Sequence, residues 1–105
     1  MDNDAIEEMF ETLGPVSIKR MFGGKGIYVD GRILALEVDG DILLKADDIS
    51  APEFEAASSR QWAYDGKEKP VYMPYWSVPE EAFDDPDEMA RWVRLAYEAA
   101  RRAKK

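Results

Sequence analysis

Residues 20–46 constrain the fold more than any other stretch, because they read as three short strands joined by two Asp-Gly turns. The apolar runs after Gly26 break at Asp30-Gly31 and again at Asp39-Gly40. A two-residue type I′ turn needs positive φ at both central positions, and Asp-Gly is among the pairs that tolerate it. The meander is entered through the glycine-rich corner Gly23-Gly24-Lys25-Gly26. Its alternation sorts two faces. Leu34, Leu36 and Val38 are expected on one side with Ile42 and Leu44, and Ile33, Ala35 and Leu43 on the other with Glu37 and Lys45. Helices on the first side would leave Tyr28, Ile33, Ala35 and Leu43 as an apolar second face, the expected interface of a homodimer.

The flanking segments supply the helices. Ile6, Met9, Phe10 and Leu13 recur at helical spacing over residues 4–13, with Asn3 or Asp4 as N-cap and Gly14-Pro15 as the stop. Residues 16–22 are extended and can add a short sixth strand ahead of the meander. Ser50 and Glu53 have capping-box spacing with Pro52 in the first turn, which opens a short helix ending near Ser58-Ser59. Residues 61–64 and 70–73 form a second hairpin across the loop 65–69, and residues 75–79 follow as an irregular aromatic segment. Asp85-Pro86 caps the last helix, which runs to about Ala103 and buries a stripe from Met89 and Trp92 to Ala100 and Ala103. Arg94–Glu98 and Glu98–Arg102 are expected as i,i+4 pairs on its wet side. The expected fold is two-layer α+β over a single domain, residues 1–105. It has an antiparallel five-stranded sheet and three helices, in the order helix, three strands, helix, two strands, helix.

The chain has no cysteine and no histidine, which removes disulfides, thiolate metal sites and the usual nucleophile–base pairs. An enzyme is not expected, nor a cofactor or a metal; the acids Glu80, Glu81, Asp84, Asp85, Asp87 and Glu88 lack calcium-loop spacing. The N-terminus is acidic where a signal peptide would be basic, and no apolar run spans a membrane, so a cytoplasmic protein is expected. Charge is uneven: residues 1–88 carry 21 acidic and 8 basic side chains, residues 89–105 carry 1 and 6. An acidic body does not suit a phosphate backbone. Nucleic acid therefore ranks second as a partner, through Lys19, Arg20, Lys25 and Arg32 near the glycine corner and the arginine-rich last helix. Trp62, Tyr64, Tyr72, Tyr75 and Trp76 are a candidate aromatic groove for a protein partner.

Three patches, in order, resemble one family. They are Arg20-Met21-Phe22-Gly23-Gly24 with Gly26-Ile27-Tyr28; Tyr72-Met73 and Tyr75-Trp76 with Val78-Pro79-Glu80-Glu81; and Asp85-Pro86 leading into the helix of Trp92. This is the N-terminal domain of the TfoX/Sxy proteins, regulators of bacterial competence genes. The resemblance implies a helix–meander–helix–hairpin–helix unit and a regulatory module acting through protein–protein contacts, with no catalytic residues to carry over. Those regulators carry a second, helical domain after this one, so a stand-alone version of the domain is the expectation.

Overall fold

A computed structural model describes residues 2–21 and 23–103. Phe22, at the end of the expected lead-in strand, lies outside the described residues. The element order is α1 (Asn3–Met9), a 3-10 turn (Glu11–Leu13), β1 (Ser17–Met21), β2 (Gly24–Val29), β3 (Arg32–Val38), β4 (Asp41–Lys45), α2 (Ala51–Ala56), β5 (Gln61–Asp65), β6 (Pro70–Ser77), a second 3-10 turn (Glu80–Asp84) and α3 (Pro86–Arg102). The α+β order agrees with expectation, and the lead-in is a full sixth strand. All six strands pair antiparallel in the order β1-β2-β3-β4-β6-β5. No described helix is long and apolar enough to cross a membrane.

Both Asp-Gly turns form as expected: Asp30 and Gly31 have φ of 54° and 78°, Asp39 and Gly40 of 52° and 86°. Between them, β3 departs from simple alternation. Ile27 pairs with Ala35 but Tyr28 pairs with Ile33, so Leu34 is an extra residue, a β-bulge. The bulge turns Leu34 and Ala35 both toward the helices, where each is fully buried, and sends Leu36 to the opposite face. The expected assignments of Ala35 and Glu37 to the outer face, and of Leu36 to the inner one, are thereby corrected. A continuous inner row then runs Ile18, Ile27, Ala35, Leu44, Trp76 across five strands.

The helices pack on that row. Ile6 of α1 with Phe10 just after it, Phe54 of α2 and Met89, Trp92, Val93, Ala96 and Ala100 of α3 share one core cluster with it. Phe54 sits between two indoles, its ring centroid 6.1 Å from Trp76 and 4.8 Å from Trp92. The strand β6 extends through Ser77, so the segment expected to be irregular after Tyr75 is still paired with β4. Pro74 falls where the β5–β6 register shifts, a position at which a missing N–H does not interrupt the ladder.

The caps differ in one instructive place. Asp2 caps α1 one residue earlier than expected, accepting from the Ala5 N–H at 2.9 Å, and Asp85 caps α3 as expected, accepting from Asp87 and Glu88. Ser50 makes no cap bond to α2. Instead Asp47 Oδ1 accepts from the backbone N–H groups of Ile49 and Ser50 and from the Ser50 hydroxyl, while Ser50 Oγ accepts from the Asp47 N–H. Arg102, expected to pair with Glu98, crosses to this loop as a fork, with Nε 2.7 Å from Asp47 Oδ2 and Nη2 3.0 Å from Oδ1. Glu53 pairs with Arg91 of α3 at 2.7 Å. The last turn of α2 closes through Ser58 at φ 64°, with N–H bonds from Ser58 to Glu55 and from Ser59 to Phe54.

Two tests follow from this framework. Gly40→Val meets no atom within 4 Å, so its cost is backbone strain alone; a β-branched residue at positive φ is expected to lower stability by about 1–3 kcal/mol in urea unfolding. The Arg102 guanidinium, with the loop N–H bonds, holds the Asp47 carboxyl at about 2, below its ordinary 3.8. A depressed carboxyl stabilises the fold above its unfolded value and loses that contribution as pH falls from about 4 toward 2. Arg102→Ala is expected to cost about 1 kcal/mol at pH 7, discounted for partial exposure. The difference between variant and wild-type midpoints should shrink as pH falls from about 4 toward 2 and vanish below it; a constant offset across that range would remove the pair as its source.

Candidate functional site

The outer face of the sheet is the surface the strands build without helices. Its residues are fixed by register: Leu36 lies opposite Leu43, Tyr28 opposite Ile33, Lys45 opposite Tyr75 and Lys19 opposite Gly26. Leu43 and Tyr75 are only 6% and 7% exposed, yet neither belongs to the core cluster on the other side. They form part of a second, smaller apolar layer. Lys19 Nζ lies 5.0 Å from the Tyr28 ring centroid and Lys45 Nζ 5.4 Å from that of Tyr75, so each cation rests on an aromatic face. Burial, and then the neighbouring Tyr28, push the Tyr75 phenol above its ordinary value, and it stays neutral at physiological pH.

Glycine shapes this layer from beneath. A Cβ on Gly26 would lie 3.0 Å from Met21 Cε and Tyr28 Cε1 and 3.3 Å from Ile33 Cδ1, so these three side chains close over the bare backbone. Next to it, a Cβ on Gly24 would collide with the Glu37 carbonyl oxygen. The first clash is with flexible tips and the second with backbone, which separates their costs.

Of the expected interface residues, Tyr28, Ile33 and Leu43 come together here and Ala35 does not. Leu36 takes its place, a residue that alternation alone assigned to the core. None of these is among the large hydrophobics left exposed, which are Ile49, Tyr64, Val71, Tyr72 and Phe83. The face is half-buried to buried within the single chain rather than bare.

The five aromatics expected in one groove divide. Trp76 is in the core against Phe54, and Tyr75 is on the outer face beside Lys45. Trp62 and Tyr64 pair with each other at 6.0 Å on one face of the β5–β6 hairpin. Tyr72 lies opposite Ala63 and is 65% exposed.

The basic set divides as well. Lys19 is on the outer face, whereas Arg20 and Lys25 are paired on the helix side, where Lys25 donates to Asn3 Oδ1 at 2.9 Å. Arg32 is at the other end of β2 and β3, opposite Val29. Glu37, 7% exposed, lines the same hollow as Arg20, Gly24 and Lys25, and its carboxylate would oppose a bound phosphate. In α3, Arg91, Arg101 and Arg102 are engaged by Glu53, Glu98 and Asp47. Among the described residues, no group of three or more carboxylates is placed to hold a metal ion.

The family model described as the TfoX N-terminal domain matches residues 8–100. The chain belongs to that family. No curated protein matches it. The TfoX N-terminal domain is a regulatory, non-enzymatic family. The match covers α1 from Glu8 onward, the whole sheet and nearly all of α3, so both faces of the sheet fall within it.

The two glycines give the test of this layer. Gly26→Ala is expected to cost about 1 kcal/mol and to shift the Tyr28 ring resonances, whereas Gly24→Ala should cost about 3 kcal/mol or more. Equal losses in thermal or urea unfolding would mean that Gly24 is not in backbone contact with β3.

Proposed function

We propose that this chain is a regulatory interaction module of the competence-regulator type. In this reading it acts in the cytoplasm through protein–protein contacts and pairs as a homodimer over the outer face of its sheet. The observation that carries the reading is the second apolar layer of Ile33, Leu36, Leu43 and Tyr75, which stands apart from the core cluster. An antiparallel sheet can leave one face to water, and such a face is ordinarily polar in alternation. Aliphatic residues there suit a two-fold contact in which the same patch serves both copies. Lys19 and Lys45, already seated on tyrosine rings, can stay at the margin of such a contact without desolvating their ammonium groups.

The nucleic-acid alternative has less behind it. Its four basic residues are spread over both faces and both ends of the sheet, and Arg91 and Arg102 of α3 are paired within the fold. Phosphate binding needs such charges clustered and free.

Sedimentation equilibrium at several concentrations tests the dimer. The wild type is expected to be twice the 12.0 kDa chain mass. Ile33→Asp should shift it to monomer with unchanged circular dichroism, because the new carboxylate would be desolvated in the contact. A wild type that stays monomeric at the highest concentration overturns the self-association. Salt-sensitive binding of a DNA duplex at low ionic strength would instead favour the alternative.

A further inference from the structure

The helical layer carries a groove of about 430 Å³ between α1 on one side and the second 3-10 turn with the start of α3 on the other. Its apolar lining includes Met9, Phe83, Met89 and Ala90, and its rim includes Glu8 and Glu11. Phe83 is 53% exposed, a large ring left in water beside a concave apolar surface. Burial of that ring and of Met9 is a gain still open to the molecule. Met9, half-buried on the α1 side, gives the lining the adaptability of surfaces that accept varied apolar ridges, over a floor that includes Met89.

The charges on its lining have one sign. No lysine or arginine lines the groove. Glu8 and Glu11 on the α1 side, and Asp84 and Asp87 beside Phe83 and Pro86 in sequence, are exposed. Among the described residues, none of these four carboxylates takes part in a side-chain hydrogen bond or ion pair. A nucleic acid or an anionic membrane surface would meet like charge here. In α3 of a second copy, Arg91, Arg101 and Arg102 are already engaged by its own Glu53, Glu98 and Asp47. What fits is a cationic segment with an apolar ridge.

We infer that the α1–α3 groove is a docking site for a basic amphipathic helix of a partner protein. Its apolar ridge lies on Met9, Phe83 and Met89, and its lysines or arginines face Glu8 and Glu11. The mode is helix-in-groove, with anchors spaced about one turn apart along the ridge. The groove is in the helical layer, away from the outer face of the sheet, so this contact and self-association can stand or fall separately.

The probe is a short Leu/Lys peptide designed as an amphipathic helix, with a permuted peptide of identical composition that has no apolar face. Titrated into the 15N-labelled protein, the helical peptide is expected to bind at least about tenfold more tightly than the permuted one. It should move the amides of Met9, Thr12, Phe83 and Ala90. The double variant Glu8→Lys/Glu11→Lys and the single variant Phe83→Ser should each weaken it by about tenfold. Both variants alter exposed side chains, and a dispersed spectrum of each free variant confirms folding. Should a variant fail to fold, the comparison of the two peptides still decides. Equal affinity for the two peptides, shifts spread over the whole acidic surface, or full affinity in folded variants would each overturn the assignment. Ile33→Asp should bind the helical peptide as the wild type does, which separates a failed groove from a failed dimer.

Discussion

One extra residue in β3 decides how the apolar side chains divide between the two faces of the sheet. With Leu34 inserted opposite the Ile27–Tyr28 step, Leu34 and Ala35 both turn inward and every residue after them changes side. Ala35 then lies in the middle of the inner row, between Ile27 and Leu44. A small residue there matches the alanine stripe of α3, Ala96, Ala99 and Ala100, and lets the helix approach the sheet closely. The bulky rings of Phe54, Trp76 and Trp92 fill the space toward β6 and α2. The same shift exports Leu36 to face Leu43. Both faces are therefore apolar, and the outer layer is a consequence of packing the inner one.

Among the helices that cover the inner row, α2 at six residues is too short to be stable by itself. It is held by the packing of Phe54 and by charges spent within the fold. Arg91 reaches from α3 to Glu53 of α2, and Arg102 reaches from the other end of α3 to Asp47 in the loop before it. Asp47 in turn organises the turn that leads into α2 with three further bonds. The basic C-terminal segment thus neutralises part of the acidic body at its own packing seam. What remains toward solvent on α1 and on the junction into α3 is uncompensated negative charge.

How far the sequence could be read depends on the range of each signal. The Asp-Gly turns are local, and their positive φ values follow from the two residues themselves. The N-cap of α3 is equally local, Asp85 before Pro86. The bulge is not: nothing in Ile33-Leu34-Ala35-Leu36 marks which residue is the extra one, because all four are apolar and the decision belongs to the packing against α3. Arg102 and Asp47 are 55 residues apart and Glu98 is the nearer acid on the same helix, so proximity in the chain misassigns Arg102. The aromatic grouping failed for a reason that strand geometry contains, since adjacent residues such as Tyr75 and Trp76 must point to opposite faces once they are known to lie in a strand. Arg32 likewise follows a turn and belongs to the far end of the hairpin from Lys25.

These constraints give the module two chemically distinct sides. On the sheet side the surface is aliphatic and aromatic, its cations are seated on tyrosine rings, and the raised Tyr75 phenol adds no charge at physiological pH. A contact there depends on shape and apolar area and is little affected by moderate salt or pH. On the helix side the groove is rimmed by exposed carboxylates, whose attraction for a cationic partner is screened within about 10 Å at 0.1 M salt. Salt should therefore distinguish the two: it weakens capture of a basic helix while leaving a sheet-to-sheet contact in place. A small regulatory domain built this way can keep one association constant across conditions and make the other responsive, without any moving part between them.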